Sequence, residues 1–443
     1  MQKDTRKCNP IRNSATNTMA DIPPFNRKSG ITSNGTSLLK RLSKTTPSKI
    51  ILFVMDGLGG LPIGPADSTN INGVKGKTEL EHAVKPNLDA LAKQSVCGVV
   101  DPISPGITPG SGPAHLGLFG CDPLEHEIGR GVLEASGINF PLEENDLAVR
   151  INFATIDKEG KITDRRAGRI STETNIKICE DLSKIKIDPV KIFVKPVKEH
   201  RAVVIFRGEN LSEEIAETDP QAVGALPLEP KALSKEAEST SKIISKFVSE
   251  AKKILISHHP ANMLLLRGFA KPPHLPSFQE NFHLNPAAIA TYPMYKGLAR
   301  LVGMKVLELK GGNIEDEIAA LEENYNSHDF FFIHIKGTDS SGEDGDWERK
   351  AKVIEEADKF IPRILKLKPD VLIITGDHST PALLKSHSWH PVPIILHSPT
   401  CRVDDVDNFS ETACVKGGLG RIRALEIMPL ALAHAQKLEK YGA

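Results

Sequence analysis

The sequence predicts an α/β fold, a mostly parallel sheet flanked by helices, with a smaller α+β unit inserted into it. Three observations carry this. Short continuous apolar runs recur near both ends of the chain, the form taken by strands buried on both faces. Stretches of helical apolar spacing separate these runs. Between the two ends, residues 147–270 follow a different pattern, with shorter apolar runs and one longer helical stretch.

In chain order, residues 1–47 come first. They are rich in Ser, Thr, Asn, Lys and Arg, lack periodic apolar positions and read as a disordered tail. A cleaved organelle-targeting segment, or an internal start at Met19, accounts for the same composition. Ordered sequence is expected from near Lys49. The run 51–55 ends in Asp56-Gly57, and residues 86–95 predict a helix with proline in its first turn. In the middle region, strands are expected at 148–153, 191–194 and 202–207 and a helix at 232–253. Residues 218–230, rich in proline and holding Gly224, read as an irregular loop. The run 330–335 then leads through Lys336-Gly337-Thr338 to Asp339. Residues 347–367 have helical spacing at Val353, Ile354, Ala357, Ile361 and Ile364, and Pro362 is expected to bend or split that helix. The run 371–374 leads through Thr375-Gly376 to Asp377-His378, and a last run, 392–396, follows His387. The expected division is a catalytic domain of 48–145 and 276–443 with 146–275 inserted as a cap.

The composition narrows the function. Lys+Arg and Asp+Glu both number 56, so there is no global basic field for nucleic acid or an anionic membrane. An anionic ligand must be held by a local cluster. No apolar run approaches the roughly 20 residues needed to span a bilayer. The six cysteines form no CxxC pair, which fits reduced thiols and a cytoplasmic setting.

Three apolar runs each end in an acidic residue, and ligands of parallel α/β sheets bind beyond the carboxyl ends of strands. Asp56, Asp339 and Asp377 are therefore expected to converge, joined by His378 and His387. Carboxylates and imidazoles together suit divalent metals, and three clustered carboxylates need cations between them. The segment 108–115, Thr-Pro-Gly-Ser-Gly-Pro-Ala-His, places Ser111 at a helix start. There its hydroxyl is either an ordinary cap or, beside a metal, a nucleophile. His258 and His259 read as surface loop residues, His390 as within reach of the metals but not one of their ligands, and His334 as a satisfied core histidine inside a strand.

At these residues the chain resembles the archaeal-type cofactor-independent phosphoglycerate mutases of the alkaline phosphatase superfamily. The likeness covers most of 48–435 and runs through Val54-Met55-Asp56-Gly57, the segment 108–115, Gly129-Arg130-Gly131, 150–155, 164–169, Leu266-Arg267-Gly268, Lys296-Gly297, 376–380, and His387 before Pro391-Val392-Pro393. It implies an alkaline phosphatase-like domain with an inserted cap. It implies that Ser111 takes the phosphoryl group from one hydroxyl of phosphoglycerate and returns it to the other, without 2,3-bisphosphoglycerate. One divalent cation would be held by Asp56, Ser111, Asp377 and His378. The second would be held by Asp339, His387 and a histidine four residues after Asp339. This chain has Glu343 there. A carboxylate in that place still binds through oxygen and favours Mn²⁺ or Mg²⁺ over Zn²⁺. The other reading is that the site has lost one metal and changed its activity.

Arginine binds phosphate and carboxylate in bidentate fashion. Arg165, Arg166 and Arg169, with Arg150 upstream, are expected to hold the substrate, and Arg267 and Lys296 are further candidates. His115 either orients Ser111 or packs one turn along its helix. The rival readings are a phosphomonoesterase or phosphotransferase for another hydroxy acid, and a member of the family without turnover.

Overall fold

A computed structural model describes residues 33–62, 76–126, 128–273 and 275–442. The part of the expected tail before residue 33, with Met19 and Cys8, lies outside them. The strands are β1 Ile50–Met55, β2 Val96–Asp101, β3 Asp146–Ile156, β4 Ile162–Asp164, β5 Lys191–Lys198, β6 Arg201–Arg207, β7 Met263–Ala270, β8 Pro286–Ala290, β9 Lys305–Val306, β10 Phe330–Ile335, β11 Val371–Thr375, β12 Val392–His397 and β13 Gly420–Arg423.

Eight of these form one sheet in the order β13-β2-β12-β11-β1-β10-β8-β9. The apolar runs are continuous because both faces are covered. Ile51, Phe53 and Met55 of β1 enter one core, and Ile50, Leu52 and Val54 enter the other. β1 lies between β10 and β11, parallel to both, with Val54 level with His334 on one side and Thr375 on the other. The last run, β12, is antiparallel to both β11 and β2. Residues 376–391 hold no helix to carry the chain back across the sheet, so β12 returns against its predecessor. The stretch 347–367 is split into helices Trp347–Asp358 and Ile361–Lys366, with proline in the first turn of the second.

β3 to β7 form a separate antiparallel sheet centred on β3. The middle region was expected to have short strands. β3 instead runs 11 residues, because β6, β7 and β4 all pair along it. Helix Glu238–Leu255 covers one face of this sheet. On the other face lies helix Arg130–Gly137, whose Val132 and Ala135 pack against Ala148, Val203 and Ile205. Glycines make the approach close. A Cβ on Gly131 would stand 2.1 Å from the Ala148 carbonyl oxygen, and one on Gly297 would stand 2.5 Å from that of Leu133.

Helix Ser33–Leu42 lies inside the stretch expected to be a tail. Residues just after it are tied to the far end of the fold. Ser43 bridges to Leu438, and the Glu439 amide donates to the Leu42 carbonyl at 2.7 Å. Leu39 packs on the core, so the polar composition concealed an anchored segment. Among the described residues no helix is long and apolar enough to cross a membrane.

Candidate active site

The carboxyl ends of β1, β10 and β11 are adjacent, and the residues that follow them meet there. Asp56, Asp339, Asp377 and His378 are all buried. Gly57, with φ of +64°, turns the chain sharply, and its amide donates to Asp377 Oδ1 at 2.9 Å. Ser111 is the first residue of helix Ser111–Leu118, and its Oγ stands 3.2 Å from His378 Nε2.

The hydrogen bonds fix both imidazoles. Thr380 Oγ1 donates to Asp339 Oδ1 at 2.7 Å, so it accepts from His378 Nδ1 at 3.0 Å. His387 Nδ1 donates to the Pro109 carbonyl at 2.9 Å. Each ring therefore turns an Nε2 lone pair into the site, the tautomer of a metal ligand. His378 Nε2 is 3.4 Å from Asp56 Oδ1 and 3.1 Å from Asp377 Oδ2, and both oxygens are buried without a hydrogen-bond partner. His387 Nε2 is 3.5 Å from Asp339 Oδ1, and the two histidine rings stack at 3.7 Å. Two sets of ligand atoms result: Asp56, Asp377 and His378, and Asp339, His378 and His387. Carboxylate oxygens and imidazole nitrogens facing one another at these distances fit divalent cations. Glu343 lies at the rim, half exposed, with Oε1 4.0 Å from His387 Nε2. Burial and the neighbouring Asp339 push its carboxyl above the usual range.

The electrostatics agree with a site short of positive charge. Burial and the Asp56 charge push the Asp377 carboxyl well up. Burial opposes ionisation of Asp56 too, but Lys336, His334 and His378 outweigh it and hold Asp56 well below the carboxylate range. Lys336 Nζ donates to Asp56 Oδ2 at 2.9 Å and to Asp339 Oδ2 at 2.5 Å. Tyr295 also donates to Asp56 Oδ2. His115 donates from Nδ1 to the Ser111 backbone carbonyl at 2.8 Å, one turn back along the helix, and that nitrogen lies 3.3 Å from Asp377 Oδ2. Burial pushes the imidazole down to about 3, and it is neutral.

Sequence reasoning passed over Lys336 and Tyr295, and it read His334 as a satisfied core histidine. His334 is no satisfied core residue. Its Nε2 stands 3.2 Å from Asp56 Oδ2, its ring stacks on Tyr295, and neither nitrogen has a hydrogen-bond partner. Its place one residue before the end of a strand that leads to Asp339 was the available signal. His258 pairs with Asp181 at 3.3 Å in the small-sheet region, away from this cluster. His390 bonds Ser388 through Nδ1.

The arginines form two groups. Arg150 and Arg267 are cross-strand neighbours on β3 and β7. Arg150 shares the field of buried Glu134 with Arg130 and Arg201, neither of them expected from sequence to bind substrate, whereas Arg267 pairs with Glu217 at 3.3 Å and Asp219 at 3.5 Å. Burial pushes Arg150 down to about 10, and its Nε has no hydrogen-bond partner. Arg201 donates to the Tyr292 hydroxyl, which links this group to the helix carrying Tyr295. The second group follows β4. Asp164 accepts from the amides of Arg166 and Gly168 at 2.8 and 2.6 Å, and residues 167–169 all take positive φ. Arg166 and Arg169 line a cavity of about 250 Å³ with Arg201, Tyr292 and Glu343. Arg165 instead forms a bidentate pair with Asp219. Lys296 is not brought to either group; its charged neighbours are Arg300 and Glu317.

Fold and site together define an α/β protein with a cluster of carboxylates and imidazoles, spaced as metal ligands are, at the carboxyl edge of a mostly parallel sheet. The chain belongs to the 2,3-bisphosphoglycerate-independent phosphoglycerate mutase family. A family model of that description matches residues 92–262. A protein of Aquifex aeolicus (strain VF5), named "Probable 2,3-bisphosphoglycerate-independent phosphoglycerate mutase", is 50% identical over 415 residues, 92% of this chain and 100% of its own. A protein of the same name from Thermus thermophilus is 48% identical over 92% of this chain and 99% of its own. Among solved structures, PH0037 protein from Pyrococcus horikoshii is similar with a TM-score of 0.76 and 32% identity, over 90% of this chain and 100% of that one. Cofactor-independent phosphoglycerate mutase from Thermoplasma acidophilum DSM 1728 has a TM-score of 0.66 and 31% identity, over 88% and 100%.

Proposed function

We propose that this protein interconverts 2-phosphoglycerate and 3-phosphoglycerate through a phosphoserine at Ser111, as a cytoplasmic enzyme of glycolysis and gluconeogenesis. The observation that carries the reading is the Ser111 hydroxyl, 3.2 Å from a His378 nitrogen that already faces two unpartnered carboxylate oxygens. Two divalent cations, Mn²⁺ or Mg²⁺, would be held by Asp56, Ser111, Asp377 and His378 and by Asp339, Glu343 and His387. When bound they supply neutralisation of the phosphate and a lowered pKa at the hydroxyl.

Ser111 Oγ gives up its proton and attacks phosphorus in line, the bond to the substrate oxygen breaks, and that oxygen takes up a proton. The glycerate then turns while its carboxylate stays on the guanidinium groups. Its other hydroxyl loses a proton and takes the phosphoryl group, the bond to Ser111 Oγ breaks, and that oxygen takes a proton back. Residues 146–275 act as the cap. Arg150, Arg166, Arg169, Arg201 and Arg267 bind the anionic groups, and the cap keeps water from phosphoserine.

The test is incubation with 3-phosphoglycerate and Mn²⁺, assaying 2-phosphoglycerate and free phosphate. The expected products are the isomer and no phosphate. Phosphate without the isomer would make the protein a phosphomonoesterase.

A further inference from the structure

Lys350 belongs to helix Trp347–Asp358 and is fully buried. A lysine there is costly unless its ammonium is satisfied. Its Nζ donates to the Gly59 carbonyl and to the Thr380 carbonyl, both at 2.9 Å, and lies 3.9 Å from Glu79 Oε1. Those two carbonyls belong to different loops. Gly59 follows Asp56 after β1, and Thr380 follows Asp377 and His378 after β11.

The loops are laced together at that point. The Thr380 amide donates to the carbonyls of Gly57 and Gly59 at 3.2 and 3.1 Å. The Thr380 hydroxyl is the group that orients His378 and binds Asp339. Helix Gly337–Asp344, which carries Asp339, presses on the same spot, since a Cβ on Gly342 would stand 2.1 Å from the Thr380 carbonyl oxygen. The peptide at Thr380 thus meets all three segments that supply the acidic residues.

We infer that Lys350 is a positioning residue for the cation centre: its buried ammonium clamps the Gly59 and Thr380 carbonyls and so sets the spacing of Asp56, Asp339 and His378. This rests on the metal reading given above. Lys350 touches neither substrate nor cation in this role. Its effect passes through two backbone carbonyls.

The test is Mn²⁺ titration of the metal-free full chain by calorimetry, with the spectrum of the bound Mn²⁺ recorded by electron paramagnetic resonance. Three proteins are compared: wild type, Lys350→Met, and Lys350→Met with Glu79→Gln. The double variant removes both buried charges and restores neutrality, but it lacks the clamp. The expected result is a Kd for Mn²⁺ at least tenfold weaker in both variants, with an altered Mn²⁺ spectrum, while the double variant recovers thermal stability. Wild-type Kd in Lys350→Met overturns the inference. So does full recovery of Kd in the double variant, which would make Lys350 only a counter-ion for Glu79. Failure of both variants to fold also overturns it, as Lys350 would then serve the fold alone. Absence of Mn²⁺ binding by wild type is a separate outcome, which removes the metal reading itself.

Discussion

Single residues carry the sharpest tests. Ser111→Ala should abolish isomerisation while leaving Mn²⁺ bound, because the carboxylates and imidazoles remain; full isomerase activity in that variant would end the phosphoserine route. Glu343 stands 4.0 Å from His387 Nε2, at the edge of the second ligand set. If it completes that set, Glu343→Ala lowers bound Mn²⁺ from two to one per chain by metal analysis; an unchanged count removes it from the centre. Much of the site was legible at this scale. Acidic residues at three strand ends are visible in the sequence because the strands are unbroken apolar runs. Lys336 and Tyr295 were not, since each reads as an ordinary member of its strand end or helix. Only the meeting of β1, β10 and a helix from residues 293–301 shows that both reach Asp56. Arg201 was hidden in the same way, at the start of a strand with no motif around it.

Elements differ in how far sequence reveals them. β1, β10 and β11 were found within a residue or two, because burial on both faces leaves no alternation to misread. Helix Arg130–Gly137 was not predicted, because its glycines are what close packing needs and not what helix propensity favours. That packing gives a direct prediction. Gly131→Ala would drive a methyl group into the Ala148 carbonyl, and overpacking of this kind costs roughly 1–3 kcal/mol. Denaturant unfolding should show the loss, and a neutral result would mean that the two elements can separate freely. A second prediction concerns helix Ile314–Asn324. Burial, helped by Asp316 and opposed by Lys296, pushes the Glu317 carboxyl up to about 8. A folded-state value raised above the unfolded one contributes stability that is complete below the unfolded value, near 4.5, and is lost as pH rises through about 8. Glu317→Gln should therefore stabilise the protein at pH 8.5 much more than at pH 5, by an amount on the order of a few kcal/mol. An equal effect at the two pH values would show that Glu317 ionises freely in the folded state.

For the whole molecule, the cation centre is also a structural joint. Segments from both ends of the sequence meet there, and buried carboxylates face one another across it. Chelation should lower the melting temperature, and Mn²⁺ should restore it in a concentration-dependent way. A ligand held at 100 times its Kd adds about 2.7 kcal/mol to the folded state. A melting temperature indifferent to chelator and Mn²⁺ would mean that the charges are balanced without a cation.

The pinning of Ser43 to Leu438 has a practical corollary. Two stretches almost four hundred positions apart in order lie side by side, so a few glycines and serines could splice 440 onto 44 without stretching anything. New ends could then be opened between Ala222 and Val223, which sit exposed in a proline-rich loop without helix or strand. Such a rewired chain would carry two fusion partners beside β4 of the small antiparallel sheet, where Gly224 and Ala225 bond Ile162.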